Sequence, residues 1–93
     1  MKTCTEMIIE AVNTINNINS LSTQSIKMYI ASSYSKHFSD LNVLNSIVDL
    51  HIEKGLDYNI FIKDGLSISL NSNLPSFKSE VIKLDNYISI LSN

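Results

Sequence analysis

The chain of 93 residues contains no arginine and no tryptophan, one cysteine, one proline and two glycines. Every basic side chain is therefore a lysine. The seven lysines are outnumbered by nine acidic residues, for a formal net charge of −2. Duplex DNA is a dense row of phosphates, and domains that bind it are as a rule clearly basic. The charge balance alone disfavours nucleic acid, and an anionic membrane surface with it. The single cysteine, Cys4, excludes an intramolecular disulfide. With Gly55 and Gly65 as the only glycines, no glycine-rich loop is available to cradle phosphate groups. No apolar run approaches the roughly 18 residues of a membrane span. The N-terminus lacks a basic segment followed by an apolar one, the mark of a secretory signal. The expectation is an intracellular protein without membrane contact.

What is present reads as one globular domain. Hydrophobic residues make up 44% of the chain and charged residues 17%, the reverse of a disordered composition. Thr3 and Glu6 have the spacing of a capping box ahead of a first helix, expected from Cys4 to Asn17. Met7, Ile8, Ala11, Val12 and Ile15 form its buried stripe, and the run from Asn16 to Ser20 ends it. Ser22 is the expected N-cap of a second helix carrying Ile26, Ile30 and Tyr34 on one face, with Tyr29 and Ser33 beside them. After a short connection at Ser35–Phe38, Ser39 or Asp40 caps a third helix. Its inner face is read as Leu41, Leu44, Ile47, Val48 and His51, with Leu50 on the flank and Gly55 as the residue closing its C-terminus.

Past Gly55 the hydrophobic period falls from 3.6 to 2. Tyr58, Ile60 and Ile62 alternate with Asn59, Phe61 and Lys63, and Leu66, Ile68 and Leu70 alternate with Ser67 and Ser69. Between them, Asp64-Gly65 is a favoured pair for a two-residue type I′ turn. This predicts a hairpin whose aliphatic face covers the helices. Asn71–Pro75 is a polar linker, and Pro75 and Ser76 open a fourth helix. Its apolar residues Phe77, Val81, Leu84, Ile88 and Leu91 fall in a 4-3-4-3 heptad seam. Leu74, Tyr87 and Ile90 widen that apolar surface. The expected fold is α+β, a winged helix built from a three-helix bundle and a β-hairpin wing over residues 1–72. An added amphipathic helix occupies residues 73–93. The third helix is then the recognition helix of a helix-turn-helix.

Several segments, in order, carry a resemblance to a known family. Thr3-Cys4-Thr5-Glu6-Met7-Ile8 looks like the opening Ser/Thr-x-Ser-Glu-Met-Ile of linker-histone globular domains. Ser22-Thr23-Gln24-Ser25-Ile26-Lys27-Met28-Tyr29-Ile30, followed by Tyr34, is similar to that family's second helix, Ser-x-Gln-Ser-Ile-x-x-Tyr-Ile-x-x-x-Tyr. Asp40-Leu41, Ser46-Ile47 and Gly55 fall near counterparts in its third helix, and Leu66-Ser67-Ile68-Ser69-Leu70 resembles the closing strand of its wing. The match covers residues 3–70. It implies a non-enzymatic module bound to double-stranded DNA or nucleosomes, in the nucleus. The chain departs from the family where charge matters. Asn42, Asn45, Asp49 and Glu53 stand at outward positions of the third helix, the wing tip is Lys63-Asp64-Gly65, and the fourth helix is additional.

The candidate DNA contacts are Lys27, Lys36, Lys54 and Lys63 for phosphates, with Asn42 and Asn45 for adenine edges. Asp49, Glu53, Asp57 and Asp64 oppose them, and the same lysines also read as ordinary solubilising residues. The competing reading is an acidic winged helix used for protein contact. It would pair with a partner or with itself through Phe77, Val81, Leu84, Ile88 and Leu91, and through the wing face with Phe61. The heptad seam has a third use, folding back on its own domain, because a helix this short needs a packing partner. His51 shares a face with Leu44 and Ile47 and is expected to pack, while His37 belongs to no motif. No cofactor, metal site or catalytic constellation is expected.

Overall fold

In the computed structural model, Thr3 and Glu6 close the reciprocal cap that their spacing predicts. The Thr3 N–H donates to Glu6 Oε1 at 2.9 Å, and the Glu6 N–H donates to Thr3 Oγ1 at 3.2 Å. The structure describes residues 2–15 and 20–91. Behind the cap runs helix α1 (Cys4–Ile15), with Met7, Ile8, Ala11 and Val12 buried and Ile15 half exposed, outside the stripe expected to hold it. The helix stop expected at Asn16, Asn17, Ile18 and Asn19 lies outside the described residues.

A strand the sequence did not announce, β1 (Ser20–Ser22), comes next. Three residues are too few for a period-two pattern, and β1 owes its conformation to its partner strand rather than to local propensity. Ser22 then caps helix α2 (Thr23–Tyr34) through a 3.1 Å bond from the Ser25 N–H to Ser22 Oγ. Ile26 and Ile30 are fully buried. A 3-10 turn (Ser35–His37) leads to Asp40, whose carboxylate accepts the Val43 N–H at 2.9 Å and starts helix α3 (Leu41–Asp57). Leu44, Val48, His51 and Ile52 form its inner face. Leu41 does not belong to it: at the first position of the helix it points to solvent, 65% exposed.

The end of α3 departs from the sequence reading. Gly55 lies inside the helix. The left-handed closing residue is Asn59, with φ 61°. The Asn59 N–H donates to the Leu56 carbonyl at 3.1 Å and the Ile60 N–H to the Gly55 carbonyl at 2.9 Å, the paired bonds of a Schellman cap. Gly55 has a different task, since a Cβ there would overlap the ring of Phe61.

Strands β2 (Phe61–Asp64) and β3 (Ser67–Leu70) form the wing, and β1 joins the far edge of β3 to give an antiparallel sheet of order β1-β3-β2. Asp64 pairs with Ser67, so the two-residue turn is Gly65-Leu66 rather than Asp64-Gly65. Gly65 alone has positive φ, 62°, the arrangement of a type II′ turn with glycine at its first central position. The faces of the first strand are the reverse of those expected: Phe61 pairs with Leu70 and Lys63 with Ile68, so the odd positions of β2 share the face of Ile68, as they would with either two-residue turn. Phe61 is buried at 2% exposure, while Ile62 and Leu66 face solvent at 48% and 84%. Ile68 and Leu21, cross-strand neighbours, are buried.

Helix α4 (Phe77–Leu91) begins one residue after Ser76, which has φ 60° and whose carbonyl accepts the Glu80 N–H at 3.0 Å. Val81, Leu84 and Ile88 enter the same core as Ile8, Val48 and Ile68. The Thr3 hydroxyl donates to Asp85 Oδ2 at 2.9 Å, and the rings of Tyr58 and Tyr87 lie 6.0 Å apart, tying α4 to the start of α1 and the end of α3. The heptad seam is thus turned inward: three of its five residues are spent on this chain's own core, Phe77 is partly buried against it, and Leu91 is half exposed. The described residues form a winged helix, with its wing widened by β1 and its core enlarged by α4.

Candidate nucleic-acid interface

The helix-turn-helix is fixed at both of its N-termini by side-chain caps, Ser22 for α2 and Asp40 for α3. These caps and the buried row Leu44, Val48 and Ile52 orient α3, and that orientation leaves Asn42 and Asn45 exposed near its start. Farther along, Asp49, Glu53 and Asp57 follow Asn45 at four-residue steps, all exposed. Residues four apart share a helix face. The recognition helix therefore presents two amides and then three carboxylates.

The four candidate lysines divide in two. Lys27 on α2 is only 17% exposed in its side chain and lies 2.8 Å from Asp49 of α3. Lys54 meets Asp57 at 3.8 Å, a loose surface pair. Lys36, in the 3-10 turn, and Lys63, on β2, are exposed and make no ion pair among the described residues. The fold brings Lys27 and Asn45 to one groove between α2 and α3. Lys54 lies farther along α3, outside that groove, and Lys36 and Lys63 stand on the 3-10 turn and β2.

A second polar centre has no local sequence signal. The Glu10 carboxylate on α1 takes three partners: Lys2 Nζ at 2.8 Å, the Tyr29 hydroxyl at 2.6 Å and the Tyr34 hydroxyl at 2.7 Å. Hydrogen bonds from Lys2, Tyr29 and Tyr34 hold its pKa down at about 2. The same bond to Glu10 raises the pKa of Lys2, and that of Tyr34. Both tyrosines belong to the second-helix motif, but nothing in the sequence ties them to a glutamate 19 and 24 positions away. The centre fastens α2 and the N-terminal segment to α1 and removes Lys2 from the free positive charge.

His51 packs as expected, 9% exposed, with its Nδ1–H donating to the Ile47 carbonyl at 2.8 Å. His37 is exposed, edge-on to Tyr34 at 5.5 Å. Burial, with a smaller contribution from the charge of Asp85, pushes the Cys4 thiol up to about 12. It stays protonated at neutral pH and is a poor nucleophile. Among the described residues no group of three or more His, Cys, Asp or Glu side chains is placed to hold a metal ion, and no helix is long and apolar enough to cross a membrane.

No curated protein and no solved structure matches the chain. The sequence profile of the linker histone H1 and H5 family matches residues 1–69, from the Thr3–Glu6 cap through the wing, and stops short of α4. Three helices, a hairpin wing and this span lead to one conclusion: the chain belongs to the linker histone H1 and H5 family.

Proposed function

We propose that this chromatin- and DNA-associated winged helix binds duplex DNA or nucleosomes without strong sequence preference, as a non-enzymatic nuclear module. The observation that carries the reading is the pair Lys36 and Lys63, exposed and without an acidic partner among the described residues, on a linker-histone fold. Lys27 and Lys54 join only by exchanging Asp49 and Asp57 for phosphates. Weak sequence preference follows from composition. The commonest specific contact to a base is a bidentate arginine on guanine, and the chain has no arginine. Asn42 and Asn45 are the side chains at the start of α3 suited to reading adenine.

A second reading, a protein-contact module that does not bind DNA, is favoured by the exposed acidic row Asp49, Glu53 and Asp57. Anisotropy of a labelled duplex, titrated at about 50 mM and about 200 mM salt, separates the two. With two lysines neutralising phosphates, the logarithm of the affinity should fall with a slope of roughly −2 against the logarithm of salt. No change up to about 100 μM, weaker than ordinary non-specific binding, rejects the DNA reading.

A further inference from the structure

Met28 and Leu41 are the large apolar side chains that α2 and α3 leave in solvent, 63% and 65% exposed. They are not scattered. Both line one open groove of about 530 Å³ between the helices, with Ala31 and Leu44 beneath them. A smaller groove of about 190 Å³ shares Ala31, Leu41 and Leu44 and continues to Phe38 and Asp40. Together they form a single apolar trough along the helix pair, floored by Leu44 at 2% exposure. Single exposed apolar residues are ordinary on a protein surface, whereas apolar residues gathered on one concave face mark a contact site.

The α3 rim of this trough is acidic. Asp40 lines one end, Asp49 reaches the rim through its 2.8 Å contact with Lys27, and Glu53 lies one turn farther along α3, beyond the lining. Lys27, the lysine that lines the trough, is already engaged by Asp49.

We propose that the trough docks a basic amphipathic helix of a partner protein. Apolar residues of that helix, at steps of three and four, would lie on Met28, Ala31 and Leu41, and its flanking lysines or arginines would face Asp40, Asp49 and Glu53. Duplex DNA suits this face poorly. Met28 and Leu41 offer nothing to a phosphate and only apolar contact to a thymine methyl, and three carboxylates repel the backbone. An extended strand suits it no better, because two helices present side chains here and no unpaired strand edge. Lys36 and Lys63 do not line the trough, so docking leaves these two phosphate contacts free while it covers Lys27 and Asn45.

The test uses the full chain, isotopically labelled, with three probes. The first is a leucine–lysine amphipathic peptide of roughly 18 residues, long enough to hold a helix once packed. The second is the same peptide with glutamate for lysine, and the third is a DNA duplex. The lysine peptide should move the NMR signals of Met28, Ala31 and Leu41 saturably, and the glutamate peptide should not. Met28→Lys and Leu41→Lys alter exposed side chains, so each should keep the fold by circular dichroism and weaken the lysine peptide by about tenfold or more. Glu53→Lys should weaken that peptide and tighten the duplex. Shifts spread over the surface without saturation, equal binding of both peptides, or movement of the Met28 and Leu41 signals by the duplex instead would each overturn the proposal.

Discussion

The ring of Phe61 occupies the space in which any side chain at residue 55 would begin. Phe61 is 2% exposed, and Gly55 lies two turns into the second half of α3, so the contact sets how closely the wing approaches the recognition helix. In an open helix, Gly→Ala would stabilise by about 1 kcal/mol. Here it forces a buried ring aside, at a cost of about 1–3 kcal/mol. Gly55→Ala should therefore fail to stabilise the protein, and pairing it with Phe61→Leu should recover part of the loss. Urea unfolding of the two variants decides. A Gly55→Ala protein with a higher midpoint than the parent would show that the ring moves freely.

Glu10 gives the fold an acid-sensitive clasp. Its carboxyl is held at about 2 in the folded chain, against an ordinary value of 4.5. A depressed carboxyl contributes stability that is fully present above its unfolded value and is lost as pH falls through its folded value. The contribution is thus complete above about 4.5 and gone below about 2. Unfolding midpoints of the parent should fall across that window, and those of Glu10→Gln should fall less. Parallel curves for the two proteins would remove Glu10 from the account of acid unfolding.

Much of this architecture was legible because its signals are local. The Thr3–Glu6 cap, the Ser22 and Asp40 caps, and the stripes on α1 and α2 each depend on residues a few positions apart. The failures share a physical cause as well. Asn59, not Gly55, closes α3, because asparagine tolerates left-handed angles and Gly55 was needed beneath Phe61. The wing turn moved by one residue, and cross-strand pairing, which no local pattern displays, put Phe61 on the face of Ile68 and Leu70 and left Ile62 outside. At the candidate interface, residue types were readable but pairing was not. The Lys27–Asp49 contact and the partners of Glu10 join separate elements, so only the assembled fold shows which lysines remain free.

Asp49 is the acidic partner of Lys27 on α2. The pair is exposed on one side only, Asp49 at 59% and Lys27 at 17%, so Asp49→Asn should cost about 1 kcal/mol, the upper end for a surface pair. It removes one repulsive charge from the recognition helix and frees one lysine. Duplex binding should tighten, and its salt slope should steepen by about 1. An unchanged slope with tighter binding would mean that Lys27 stays out of reach of phosphate and that only the repulsion was relieved.

Whether α4 belongs to the winged helix or serves as a handle for another chain is decided by where its substitutions cost stability. Leu84 is fully buried in the core that α1, α3 and the sheet share, and Ile82 on the same helix is 61% exposed. Folded back, α4 makes Leu84→Ala a core truncation costing about 2–5 kcal/mol. Ile82→Ala becomes a surface change within about 0.5 kcal/mol. A self-pairing α4 reverses this contrast: the outward Ile82 and Ile90 would then carry the cost. Unfolding would also depend on protein concentration, because association stabilises only the assembled state. Urea midpoints for both variants, at two concentrations about fiftyfold apart, read the two effects separately. The burial of Leu84 predicts a large loss at Leu84, little at Ile82, and no dependence on concentration. A concentration-dependent midpoint that Ile82→Ala abolishes would make α4 an interface between copies.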